Sequence, residues 1–271
     1  MEHFFLISML FAVGGVAGLS GGLFGVGGGF IVVPALLFTF SILGYESENI
    51  VVLAISTSLA TIIVTSCRAA LVHSKLGSLN LDFLKSWSPW LALGTLFGVA
   101  LTSVISAVAL KIVFAAGVAC YAAFFLFPKF FEQSTFQGLP TGSLRALIGT
   151  SVGSVSAILG IGGGTPVVIT MTLCGRPITE AAGTAAGVGC VIGFLGSIFF
   201  VILGLLQPFE GMPPGTLGPV NIMAFLIISV ASLFTAPLGA RLVHKLNPNI
   251  VKKIFGCYLV GIATVIFIQN T

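Results

Sequence analysis

Charged side chains are scarce in this chain: eleven Lys and Arg and seven Asp and Glu occur among 271 residues, 7% in all. A soluble domain carries roughly 25%, so a water-surrounded globule is excluded. No Asp or Glu lies deep within an apolar run; Glu180 comes closest, one residue inside its segment. Proton or sodium coupling through an intramembrane carboxylate therefore has no support, and neither does an acid-lined cation pathway. Paired cysteines are missing too. Cys67, Cys120, Cys174, Cys190 and Cys257 are scattered without C-x-x-C spacing, which fits small buried hydrophobes better than a metal site or disulfide framework. His3, His73 and His244 fall at the edges of apolar runs, where interfacial packing accounts for them better than catalysis. No nucleophile or acid–base pair with suitable partners stands within an apolar run, so no catalytic residue, metal or cofactor is expected. The opening Met1-Glu2-His3 lacks a positive n-region, and no signal cleavage is expected.

What remains is apolar. The chain is 57% hydrophobic with a mean hydropathy of +1.17, and its apolar runs are continuous. An outer-membrane barrel, built from alternating segments of about ten residues, is thereby excluded. The expected fold is an all-α membrane protein, a polytopic helical bundle with the lipid bilayer as its main partner. The net charge of +4 sits at membrane edges and implies no nucleic acid.

Two stretches organise the bundle: GLFGVGGGFIVVP at 22–34 and AILGIGGGTPVVIT at 157–170. Gly25, Gly27, Gly28 and Gly29 match Gly160, Gly162, Gly163 and Gly164 at a constant offset of 135 residues. Each cluster interrupts an apolar run. The first run, Phe4 to Phe40, would be roughly 55 Å long as one helix against a hydrocarbon core of about 30 Å. It must bend. Glycine is poorly suited to helix interiors, and a broken helix in hydrocarbon is tolerated only where protein, water or ligand satisfies the freed backbone groups. Paired breaks in two halves point to a transporter's binding site.

Beyond the first run, segments are expected at about 50–72, 87–108 and 110–127, with Trp87 and Trp90 marking an interfacial entry and Gly94, Gly98 and Thr102 forming a series suited to close packing. After a linker rich in Pro and Gly the pattern repeats, with a broken run at 144–173 and segments at about 179–203, 220–242 and 251–268. LKIVF at 110–114 corresponds to VKKIF at 251–255. The expected organisation is an N-terminal repeat (1–130), a linker (131–143) and a C-terminal repeat (144–271) within one integral membrane domain.

Charge decides the sense of the repeats. If each broken run crosses once, the two membrane faces receive five and six basic residues, which is no bias. If each run returns to its starting side, whether as a re-entrant hairpin or as two tilted crossings, one face collects Arg68, Lys75, Lys85, Lys129, Arg145, Arg176, Arg241, Lys245, Lys252 and Lys253, and the other keeps only Lys111. Ten against one satisfies the positive-inside rule. Two inverted repeats follow, each a glycine-broken or re-entrant first helix and three transmembrane helices, with both termini periplasmic and the basic face cytoplasmic.

The clusters fail as dinucleotide fingerprints, lacking the strand context and the third glycine spacing. Packing through small residues is the competing explanation, but it uses every fourth position, not three consecutive glycines. Free N–H groups at a helix N-terminus form an anion-binding nest aided by the helix dipole. Alanine at Gly28 or Gly163 is then expected to disturb that nest while leaving a folded protein. Hydroxyls join the candidate site: Ser56, Thr57 and Ser58 in the first half, Thr184 of Gly183-Thr184-Ala185 at the matching place in the second, and Thr165 directly after the second cluster. Arg68, a turn or two inside its membrane end, is a candidate anion attractor, although snorkelling to headgroups suits it equally.

Taken together, GGLFGVGGGFIVVP (21–34), AISTSLATIIVTS (54–66), ILGIGGGTPVVI (158–169) and AAGTAAGVG (181–189) resemble the sulfite exporter TauE/SafE family, also called toluene sulfonate uptake permeases. The likeness covers essentially the whole chain. It implies a bacterial or archaeal inner-membrane carrier for small organic or inorganic sulfur anions such as sulfite, sulfoacetate or related organosulfonates. Thr165-Pro166 stands where the first motif has Phe30-Ile31, so the two halves need not contribute equally. Efflux driven by the membrane potential suits the lack of a coupling residue, since an anion leaving a negative interior gains roughly 2.3 kcal/mol per charge per 100 mV. A coupled importer and an anion channel remain as alternatives, and self-association into a homodimer stays open.

Overall fold

The computed structural model describes residues 2–45, 47, 49–127 and 138–247, together with 253, 256, 257, 259–261 and 264. The expected linker lies outside these residues up to 137, as does most of the closing segment at 251–268. The chain forms α1 (Glu2–Phe24), α2 (Gly29–Ile42), α3 (Ile50–Lys75), α4 (Leu81–Thr102), α5 (Ala107–Leu126), α6 (Gly142–Leu159), α7 (Gly164–Leu173), α8 (Ile178–Leu206) and α9 (Ile222–Leu242). A two-residue ribbon, β1 (Thr216–Leu217) antiparallel to β2 (Val220–Asn221), joins α8 to α9. Among the described residues six helices, α1, α3, α5, α6, α8 and α9, are long and apolar enough to cross a membrane. This is an all-α polytopic membrane protein. Phe97, Phe194 and Phe234 stay exposed on its outside, where lipid takes the place of water.

Helix α3 is the central post. Its most apolar stretch is 83% buried, against at most 44% in the other five. Helix α8 runs antiparallel to it: Gly189 lies against Ser66, and Gly196 against Leu59. On either side stands a parallel helix pair held by small residues. In α1 and α9 a β-carbon at Gly14 would lie 3.0 Å from that of Ala231; in α4 and α6 one at Gly149 would lie 2.8 Å from that of Trp90. These are one contact seen twice, because Gly14 plus 135 is Gly149 and Ala231 minus 141 is Trp90. Gly239 against the Leu19 carbonyl and Gly98 against the Ser154 carbonyl obey the same arithmetic. Gly94 belongs to this seam, where a side chain would overlap the Thr150 carbonyl. Packing this close is what small residues permit between helices in lipid.

The polar bonds repeat as well. Thr57 Oγ1 accepts from the Asn221 backbone N–H at 2.9 Å, and Thr184 Oγ1 accepts from the Asn80 N–H at 3.0 Å. Asn221 and Asn80 cap the N-termini of α9 and α4, their Oδ1 atoms accepting from Ala224 N and Phe83 N. Each half thus fixes the start of a helix in the other. The cap at Asn80 also starts α4 six residues before the expected Trp87. That shift corrects the reading of Trp87 as an interfacial anchor: it stacks on Phe83 at 4.5 Å and is 1% exposed.

The two ends of the bundle differ. One carries His73, Ser78, Asn80 and Glu180, with Asn80 Nδ2 donating to Glu180 Oε1 at 2.8 Å and Arg176 3.9 Å from the same oxygen. Lys75, Lys85, Arg145, Arg241 and Lys245 belong to helix ends on that side. The opposite end carries the ribbon and the α2–α3 loop, where Asn49 Nδ2 donates to the Glu210 carbonyl at 2.9 Å. Lys111, in the first turns of α5, lies on this second side.

Candidate functional site at the meeting of two glycine breaks

Both apolar runs break at their glycines. Gly25, Gly27 and Gly28 hold φ of 70°, 71° and 84°, and Gly160, Gly162 and Gly163 hold 65°, 66° and 77°. Side chains rarely tolerate that left-handed region. Each sequence of turns doubles the chain back. A β-carbon at Gly28 would sit 2.6 Å from the Ala17 carbonyl oxygen, one helical stretch earlier, and one at Gly21 would sit 3.0 Å from the Gly27 backbone.

The breaks then meet. Gly29 packs on the backbone of Gly160 and Ile161, and Gly164 packs on that of Gly25 and Val26. Both lie beside Ile62, the thirteenth of the 26 residues of α3: β-carbons at Gly27 and Gly162 would stand 2.8 and 2.7 Å from its Cγ2. So the glycine clusters lie midway along the central helix. Every residue from Phe24 to Val33 and from Leu159 to Thr165 is buried.

Helices α2 and α7 start at this point, capped by Gly28 and Gly163 with no side-chain hydrogen bond. The first turn of a helix has N–H groups without intrahelical partners, and the dipole adds partial positive charge there. The C-terminal end of α6 is capped instead. Gly160 N donates to Ala157 O, Ile161 N donates to Ser156 O, and Ser58 Oγ donates to Gly160 O at 2.8 Å. On α1, the Gly22 carbonyl accepts from His73 Nε2 at 3.1 Å. The balance at the centre favours an anion: donors without caps, and carbonyls already engaged.

The hydroxyls singled out in the sequence have different fates. Thr57 and Thr184 hold the caps of α9 and α4, as described. Ser56 Oγ donates to the Pro219 carbonyl at 2.7 Å, and Ser58 donates to Gly160. Thr165 is fully buried, and its Oγ1 has no partner among the described residues. Arg68 is not brought to the breaks: it is exposed, and its Nε faces the Leu233 carbonyl at 3.5 Å. The expectation that Gly28→Ala leaves the fold intact also needs correction, because its β-carbon would press on backbone. Gly163→Ala meets the flexible end of Ile192 and the Val188 side chain.

Three residues at the breaks escaped the sequence reading: Ile62, Ser66 and Ser156. A periodic signal for them was present. Ser58, Ile62 and Ser66 recur every fourth position along α3 and share one face; Ser156 stands four residues before Gly160. Among the described residues no cluster of three or more metal-ligating side chains occurs.

A bundle of membrane-spanning helices with two interrupted helices meeting at its centre defines the class: a polytopic membrane transporter. The chain belongs to the sulfite exporter TauE/SafE family, which it matches over residues 10–266. It is 32% identical over 270 residues to a probable membrane transporter protein of Haemophilus influenzae, covering 99% of this chain and 100% of that one. It is 25% identical over 257 residues to a probable membrane transporter protein of Methanocaldococcus jannaschii, covering 92% and 90%. No solved structure matches it.

Proposed function

We propose that this protein carries a small sulfur-containing oxyanion, sulfite or an organosulfonate, across the inner membrane without converting it chemically. The substrate is held between the two glycine breaks. One observation carries the reading: the uncapped N-termini of α2 and α7 converge at mid-bundle while Asp82, Glu180 and Glu210 stay near its ends. Paired helix N-termini of this kind suit an anionic group. With no carboxylate at the breaks among the described residues, the membrane potential drives the anion outward in this reading. Proteoliposomes loaded with sulfite should take up labelled sulfite by saturable counterflow, and an inside-negative potential should speed its exit. Flux that neither saturates nor shows counterflow would replace the carrier with a channel, and flux that requires a sodium or proton gradient would favour the coupled importer.

The halves are inverted in this reading. Matching helices α3 and α8 run antiparallel, so the axis relating them lies across the membrane-spanning direction, and basic residues gather at the His73 end. That end is cytoplasmic by the positive-inside rule. In a cysteine-free background, Gln207→Cys should react with a membrane-impermeant thiol reagent in intact cells. Lys75→Cys should react only after permeabilisation. The reverse pattern would sink the orientation.

A further inference from the structure

Most of the buried hydroxyls described so far hold a backbone group, and three at the glycine breaks do not. Ser66, Ser156 and Thr165 are 1%, 0% and 0% exposed, and their oxygens have no hydrogen-bond partner among the described residues. All three lie on the glycine breaks. Ser66 Oγ is 3.0 Å from the β-position of Gly27 and closer still to that of Gly189; Ser156 Oγ is 3.4 Å from that of Gly163. Thr165 occupies the first turn of α7, directly after the Gly164 that packs on the opposite break. The remaining unpartnered side-chain atoms among the described residues, Arg145 Nε, Thr172 Oγ1 and Ser229 Oγ, belong to other parts of α6, α7 and α9.

Two features separate these hydroxyls from structural ones. First, Ser and Thr in apolar helices ordinarily bond back to their own backbone, as Thr61, Thr65 and Ser197 do here. An unmade bond at a buried hydroxyl costs free energy, so three at one place imply a partner that arrives from outside. Second, the repeat supplies no counterpart. By the offsets already established, Ser66 corresponds to Gly193, Ser156 to Gly21 and Thr165 to Phe30, none of which carries a hydroxyl. Of the bonds that build the fold, Thr57 to Asn221 and Thr184 to Asn80 form a matched pair, while Ser56 to Pro219 and Ser58 to Gly160 join the halves without one. A single ligand held between two halves needs no such matching.

We infer that Ser66, Ser156 and Thr165 donate hydrogen bonds to the oxygens of the bound anion and select a headgroup with three terminal oxygens, a sulfonate or sulfite, over a planar carboxylate. This assignment rests on the function proposed above. Hydroxyls are well matched to such a headgroup, because each turns its single O–H toward an oxygen without fixing a countercharge that would hold the anion in place. The selectivity follows from shape: a sulfonate or sulfite can turn one oxygen to each of three donors spread over both breaks, whereas a planar carboxylate keeps the lone pairs of its two oxygens in one plane.

The test compares sulfoacetate with malonate, which differ by one sulfonate-for-carboxylate exchange, with sulfite as a third probe. Thermal melting of purified wild type, Ser66→Ala, Ser156→Ala and Thr165→Val is followed with and without each anion. Ser232→Ala removes a buried hydroxyl that donates to the Ser229 carbonyl and serves as the control. Without ligand the three variants should melt at or above the wild-type temperature, since each loses only an unpaired polar group. Their apparent affinity for sulfoacetate should fall about tenfold or more, and wild-type preference for sulfoacetate over malonate should shrink. Ser232→Ala should keep the full ligand response. Lower melting without ligand together with an unchanged sulfoacetate response would make the hydroxyls structural and overturn the assignment alone. A wild type unmoved by any of these anions would overturn the proposed substrate class, and this assignment with it.

Discussion

Gly164→Ala and Gly29→Ala are each expected to abolish the folded state. Neither glycine holds a positive φ, so the reason is contact and not conformation. A β-carbon at Gly164 would overlap the Gly25 carbonyl and the Val26 Cα; one at Gly29 would overlap the Gly160 carbonyl and press on the Ile161 Cα at 2.7 Å. Both obstacles are backbone, held in tight turns, and backbone in a packed core does not swing aside as a side chain does. Over-packing of this kind costs about 3 kcal/mol or more at the severe end. Gly15→Ala is the reference: no atom lies within 4 Å of the added carbon, and helix propensity favours it by about 1 kcal/mol. Yield of monodisperse protein after detergent extraction and its melting temperature decide the matter. Wild-type melting of either break variant would mean that the breaks do not touch.

Ile62→Ala should lower stability by about 2–5 kcal/mol, the range for emptying a buried isoleucine site. Ile62 is fully buried at the midpoint of α3, with Cγ2 packed against both glycine clusters. If the substrate passes between the breaks, the same truncation opens the passage, and passive sulfite leak through proteoliposomes should rise. Dye release at the wild-type level separates such a pathway from damaged vesicles. Unchanged leak with the expected loss of stability would leave Ile62 as packing only and move the route elsewhere.

The breaks were legible because glycine announces itself. Three consecutive glycines twice, at a fixed offset inside runs too long to be single helices, leave the chain few alternatives to bending at those points. The correspondence between the two halves is read from the same glycines, down to the match of Ser56-Thr57-Ser58 with Gly183-Thr184-Ala185. The role of those hydroxyls was not legible. Thr57 finds its partner 164 residues away and Thr184 finds its own 104 residues away, and nothing local distinguishes a hydroxyl that holds a distant helix cap from one that awaits a ligand. Trp87 misled because tryptophan favours membrane interfaces on average, whereas Asn80 had already begun the helix two turns earlier. Ser66 and Ser156 were passed over because neither adjoins a glycine in sequence; they reach the breaks only through helical periodicity and the return of the chain.

Ile62 also bears on how the two halves pair. Its counterpart, at the offset that relates Thr57 to Thr184, is Gly189, whose Cα lies 3.7 Å from the β-position of Gly162. In the inverted arrangement proposed above, the axis relating the halves passes between these two residues. A chain assembled from two copies of the first half would drive two isoleucines into one space, and one assembled from two copies of the second would leave a hole beside both turns. The two halves therefore differ at this point in what each can pair with. In that arrangement the pairing at the breaks asks for one bulky residue and one bare one, and each half supplies a different member.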